Sequence, residues 1–177
     1  TYAIPLYQRN FAWTYDEIEQ LLNDVADAFQ ENRDNYYIGT LIVNKENDIF
    51  KIIDGQQRTT ALNLIALALK HEFGFDRLKA VNLNFPARKK SNKNIQDLFD
   101  KKKILEDDEN ELTRGYGYAK DALKEVLEKR QLNPQSFVDY LFENVIIFRS
   151  ILPEDLDLNL YFERFNSRGE QLEAHEI

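Results

Sequence analysis

Apolar side chains recur at three- and four-residue intervals through Ile18, Leu21, Leu22, Val25, Ala26 and Phe29. That period gathers them on one stripe and predicts an amphipathic helix over roughly residues 15–31. Thr14, followed three residues later by Glu17, is a capping-box pair that sets the helix start. The segment before it, from Ile4 to Trp13, is entered through Pro5, whose fixed φ favours extended chain. Beyond the helix, Tyr36 to Val43 and Ile49 to Ile53 are β-rich, and Asn44-Lys45-Glu46-Asn47 between them reads as a hairpin loop. The second strand runs into Asp54-Gly55-Gln56-Gln57-Arg58-Thr59-Thr60. A strongly apolar helix then follows, with Leu62, Leu64, Ile65, Leu67, Ala68 and Leu69. The order is strand, tight polar turn, helix.

Further along, Val81, Leu83 and Phe85 alternate with Asn82 and Asn84, a third strand ending at Pro86. The basic stretch Ala87 to Asn94 reads as an exposed loop, and residues 95–105 and 116–131 show helical periodicity. Pro134 stands at a good first-turn position for a helix over roughly 134–143, and Val145 to Phe148 forms a short strand. Leu158 to Phe165 reads as helical and ends at Asn166-Ser167-Arg168-Gly169, where glycine suits a left-handed cap. The pattern predicts one α+β domain over residues 1–177. A small mixed sheet dominates about 1–86, and the remainder, about 87–177, is mainly helical.

Composition narrows the chemistry. The chain has 177 residues, 43% of them hydrophobic, enough for one packed core. There is no cysteine, and the two histidines are His71 and His175. A disulfide framework, a cysteine nucleophile and a thiolate zinc site are excluded. With 23 basic and 31 acidic residues the formal charge is −8, which argues against holding nucleic acid by a general positive surface. No apolar run approaches a membrane span and no signal-peptide pattern opens the chain, so the cytoplasm is the expected compartment. A start at Thr1 with no methionine suggests a domain cut from a longer protein.

The polar turn is where the sequence is most informative. A strand ending in Asp-Gly and feeding a helix leaves backbone N–H groups free at the positive end of the helix, a ready anion site. Gly55 lets a phosphate approach the backbone, Arg58 offers a planar fork, and Thr59 and Thr60 offer hydroxyls. Asp54 is suited to hold a magnesium ion or to orient a nucleophilic water. The plainer reading is that Asp54 caps the helix and Arg58 is a surface charge. Both stay open on spacing alone. The motif is not a P-loop, because G-x-x-x-x-G-K-[ST] is absent. Arg9 is a possible second phosphate ligand with an aromatic nearby for base stacking, although Phe11 and Trp13 read better as residues packed onto the first helix. His71 reads as a partner for the C-terminal end of its helix.

Four segments in order carry a resemblance. They are Ile4-Pro5-x-Tyr7-Gln8-Arg9-x-Phe11-x-Trp13, Tyr37-Ile38-Gly39, Asp54-Gly55-Gln56-Gln57-Arg58-x-Thr60-x-Leu62, and Phe162-Glu163-x-Phe165-Asn166-Ser167-Arg168-Gly169-x-x-Leu172. Together they resemble the N-terminal domain of the GmrSD-type modification-dependent restriction enzymes and their phage-defence relatives. The resemblance implies a ParB/sulfiredoxin-like fold with helical additions, and nucleoside-triphosphate binding and hydrolysis with Mg2+ that gates DNA cleavage by a separate nuclease. On it, Asp54, Gln57 and Arg58 are the catalytic residues, and Asp54 is also the metal ligand. Gln8, Arg9, Gly39, Gly55, Gln56, Thr59, Asn166 and Arg168 line the nucleotide pocket. The implied partner is a nuclease domain or subunit outside this chain, with DNA held there or by a local basic patch. The alternative is a non-catalytic ParB-like module that binds DNA or protein through basic residues 88–103.

Overall fold

The computed structural model describes residues 2–4, 10–80, 83–84, 89–100 and 110–153. In chain order these form β1 (Tyr2–Ala3), α1 (Tyr15–Gln30), β2 (Tyr36–Glu46), β3 (Ile49–Asp54) and α2 (Gln56–Glu72). They continue as β4 (Leu83–Asn84), α3 (Lys89–Phe99), α4 (Glu111–Lys129), α5 (Pro134–Glu143) and β5 (Val145–Leu152). The strands make one mixed sheet in the order β4-β1-β3-β2-β5. Only β2 and β3 pair antiparallel; β1 lies parallel to β3 and β4, and β5 parallel to β2. The class is α+β, as the pattern predicted. Among the described residues, no helix is long and apolar enough to cross a membrane.

Helix α1 begins as its capping pair requires: the Thr14 N–H donates to Glu17 Oε2 at 2.9 Å, and the Thr14 hydroxyl donates to the same oxygen at 2.5 Å. Its stripe of Ile18, Leu22 and Val25 is fully buried. Helix α2 is buried from Leu64 through Leu69, so it runs through the middle of the core rather than over its surface. Helix α4 packs against both α1 and α2. The cores of these helices meet Leu41, Val43 and Ile52 on one face of the sheet. Phe29 of α1 meets Phe137 of α5 edge-on at 5.8 Å.

Several boundaries differ from the sequence expectation, each for a local reason. The hairpin loop is not Asn44–Asn47: β2 continues to Glu46 and the turn is Asn47-Asp48, with φ of 48° and 65°. A two-residue turn with both φ values positive matches the strands' twist, and Asn and Asp tolerate it. The predicted loop Ala87–Asn94 is helical from Lys89 onward. Ile95 and Leu98 anchor α3 in the core. Helix α4 starts at Glu111, five residues early. The Asn110 side chain accepts from Leu112 N (2.8 Å) and Thr113 N (3.1 Å), while Gly115 and Gly117 hide the helical period. Strand β5 runs to Leu152 rather than Phe148, because its whole length hydrogen-bonds to β2 despite Arg149 and Ser150. The predicted helix at 158–165 and its cap at 166–169 lie outside the described residues.

Candidate functional site

Asp54 is the last residue of β3 and Gln56 the first of α2, so the seven-residue polar turn resolves into a single connecting residue, Gly55. Its φ of 98° and ψ of 11° are left-handed. A Cβ there would stand 3.2 Å from the Thr40 carbonyl oxygen. Glycine is what allows so tight a strand-to-helix connection. Asp54 therefore does not cap the helix; Gly55 occupies that position, with no side-chain cap and no acidic residue in the first turn. The positive end of α2 opens into a pocket of about 270 Å³ lined by Trp13, Asp54, Gly55, Gln56, Gln57 and Arg58.

The helical period decides which of these side chains face inward. Gln57 is buried, and its amide is fully engaged with the entry segment. Its Oε1 accepts from Ala12 N (2.8 Å), and its Nε2 donates to the Asn10 carbonyl (3.0 Å). It thereby fastens residues 10–12 across the first turn of α2 and sets the position of Trp13. The Thr60 hydroxyl donates back to the Gln56 carbonyl at 2.8 Å. Thr59 is half-buried, and its N–H donates to the Gly55 carbonyl at 3.0 Å. Asp54 is exposed at the pocket mouth, and Arg58 is half-buried.

Arg58 owes its position to β2. The β2–β5 register passes from Tyr37↔Ile146 to Gly39↔Ile147, leaving Ile38 as an extra, bulged residue. The bulge shifts the alternation: Tyr36 and Ile38 pack toward the helices before it, and Leu41 and Val43 after it. Gly39 is thus turned to the helix side, with φ of 144°, and a Cβ there would lie 2.7 Å from the Arg58 Cζ. The missing side chain is a notch, and the guanidinium fills it. Among the described residues, no ion pair or hydrogen bond engages Arg58.

Beyond Arg58 lies a second cleft, of about 490 Å³, between α1 and β2. Trp13, Leu21, Tyr36 and Ile38 give it an apolar lining, with Asp16, Glu17, Gln20 and Asp24 along α1. Trp13 and Arg58 line both spaces. Burial pushes the Tyr36 hydroxyl pKa up, and the Asp24 charge adds to that, against the opposing pull of Arg33 and Arg58. The hydrogen bonds from Thr14 hold the Glu17 carboxyl below its ordinary value.

The structure brings together Gly39, Asp54, Gly55, Gln56, Gln57, Arg58 and Thr59. Gln8, Arg9, Asn166 and Arg168 lie outside the described residues. Phe11 packs as expected and is buried. Trp13 packs too, but it also forms a wall of both clefts, which the sequence reading missed along with Gln20, Asp24, Tyr36 and Ile38. Trp13 and Ile38 fall in segments that carry the family resemblance, but nothing in the local pattern marks Gln20, Asp24 or Tyr36. His71 sits near the end of α2, and its Nε2 lies 2.9 Å from the Phe99 carbonyl, joining α2 to α3. Among the described residues, no three His, Cys, Asp or Glu side chains converge as a metal cluster.

The family model described as GmrSD restriction endonuclease, N-terminal domain, matches residues 1–177. No curated protein matches the chain.

Proposed function

The chain belongs to the GmrSD restriction-endonuclease N-terminal domain family, and from that premise we propose that it binds and hydrolyses a nucleoside triphosphate at the start of α2. The observation that carries this reading is an unengaged guanidinium, Arg58, beside an uncapped helix N-terminus. Such a pair suits a polyanion that no side chain of the site already neutralises.

In this reading the α2 amides and Arg58 counter the charge that builds on the phosphate oxygens during transfer. Asp54, exposed at the pocket mouth, accepts a hydrogen bond from the attacking water and points its oxygen at the terminal phosphorus. The water oxygen, not the carboxylate, bonds to phosphorus as the bond to the bridging oxygen breaks. Asp54 takes up the water proton and returns it to the released inorganic phosphate, and the nucleoside diphosphate leaves with the bridging oxygen. Gln57, whose amide is engaged with Asn10 and Ala12, acts as a positioning residue. Gly39 and Gly55 admit the fork and the backbone turn. Asp54 is also where a magnesium ion would be held. A single carboxylate fits this ion, which takes most of its remaining ligands from phosphate oxygens and water. When bound, it neutralises phosphate charge. The nuclease that such hydrolysis would govern belongs to a domain or subunit other than this one, with DNA held there or by a local basic patch of this chain.

Phosphate release by the purified chain tests the reading. Arg58→Ala is expected to lower turnover by about 100-fold, the scale of losing one preorganised charge-stabilising group. Asp54→Ala is expected to abolish turnover while the nucleotide still binds. Rates equal to wild type in both variants, or no turnover with any nucleoside triphosphate, would overturn it.

A further inference from the structure

We infer that the cleft between α1 and β2 is the nucleoside subsite of the phosphate turn, holding the base and ribose of the nucleotide whose phosphates lie on α2. The inference rests on the hydrolysis site proposed above and assigns the part of the ligand that reading leaves unplaced. Three observations carry it.

The first is adjacency and size. Trp13 and Arg58 line both the turn pocket, about 270 Å³, and the cleft, about 490 Å³. The turn pocket alone falls below the roughly 300–1,000 Å³ usual for small-molecule sites, whereas the neighbouring cleft lies within that range. The second is charge. The helix terminus and Arg58 suit phosphate, while Asp16, Glu17 and Asp24 on α1 line the α1–β2 cleft. Carboxylates there repel phosphate and accept from hydroxyl or amino donors, which ribose and the bases provide. The third is the lining. Trp13, with Tyr36, Leu21 and Ile38, supplies an aromatic and apolar surface for a base, and a base stacked on an aromatic ring is stabilised whatever its identity. Gln20 Nε2 donates to Asp24 Oδ1 at 2.7 Å, so the carboxylate facing the cleft is held in a defined orientation.

Comparing a nucleoside triphosphate with inorganic tripolyphosphate separates the two halves of the site. Calorimetric titration gives the affinities, and the fluorescence of Trp13, the only tryptophan, gives a local signal. The nucleotide is expected to bind at least tenfold more tightly than tripolyphosphate and to quench Trp13. Asp24→Asn is expected to weaken the nucleotide several-fold while leaving tripolyphosphate unchanged. Trp13→Phe, at the wall shared with the turn pocket, is expected to weaken the nucleotide several-fold more than tripolyphosphate. Phenylalanine keeps the packing at position 13, so a loss that falls mainly on the nucleotide is not a folding effect. If both ligands bind equally and neither variant discriminates between them, the nucleoside subsite is overturned and the phosphate turn stands. If neither ligand binds, both readings fall.

Discussion

At residue scale the site turns on one pair far apart in sequence, Gly39 and Arg58. Arginine carries a delocalised charge in a rigid plane, which helps a phosphate only if the plane is held in place beforehand. The holding surface here is backbone, exposed because position 39 has no side chain. Gly39→Ala is therefore expected to act twice. The positive φ costs on the order of 1–3 kcal/mol of stability in a residue with a Cβ. The new methyl also displaces the guanidinium, lowering phosphate release about as far as Arg58→Ala does. A urea melt combined with a turnover assay separates the two effects, and normal turnover in a destabilised protein would show that the notch is not needed. The motif Tyr37-Ile38-Gly39 was visible in the sequence by resemblance. Its physical purpose was not, because nothing near residue 39 in the chain signals an arginine nineteen residues later.

At the scale of elements, legibility followed how local the determinants are. Helix α1 was readable because its stripe and its Thr14–Glu17 cap both lie within a few residues of each other. Its cap predicts an acid dependence. The folded-state pKa of Glu17 is depressed from the ordinary 4.5 by hydrogen bonds from Thr14. The stability it contributes is thus fully present above that ordinary value and is lost as pH falls below it, through the folded-state value. Thr14→Ala is expected to cost about 1 kcal/mol near neutrality, and the gap to wild type should narrow in melts at about pH 3. A gap independent of pH would show that the carboxylate gains nothing from the cap. The start of helix α3 was missed because residues 89–94 are polar and basic and carry no apolar period; the apolar positions begin only at Ile95 and Leu98. Helix α4 was shortened because glycine lowers helix propensity and here has a packing reason instead.

That reason belongs to the whole molecule. Gly115 lies where the entry segment, α2 and α4 converge. A Cβ there would stand 2.6 Å from Phe11 Cε1 and 2.7 Å from Leu64 Cδ1. In an isolated helix Gly→Ala stabilises by up to about 1 kcal/mol. Here, overpacking is expected to reverse the sign, for a net loss of about 1–3 kcal/mol by thermal or urea unfolding. A stabilised variant would show that Phe11 and Leu64 have room to move. Since Phe11 shares its segment with Trp13, the same change should also shift the tryptophan emission. By itself, the chain determined its periodic elements, the α+β class, the exclusion of thiol chemistry, and the glycine and arginine that stand at the α2 start. All of these follow from contacts or propensities spanning a few residues. Only the tertiary structure decided that Trp13 walls two clefts, that a bulge at Ile38 turns Gly39 toward Arg58, and that Gln57 fastens the entry segment. Those outcomes depend on strand register and on packing between residues 10–13, 36–39 and 54–58. In a strand a shift of one residue moves every side chain to the opposite face, so no local pattern could announce them.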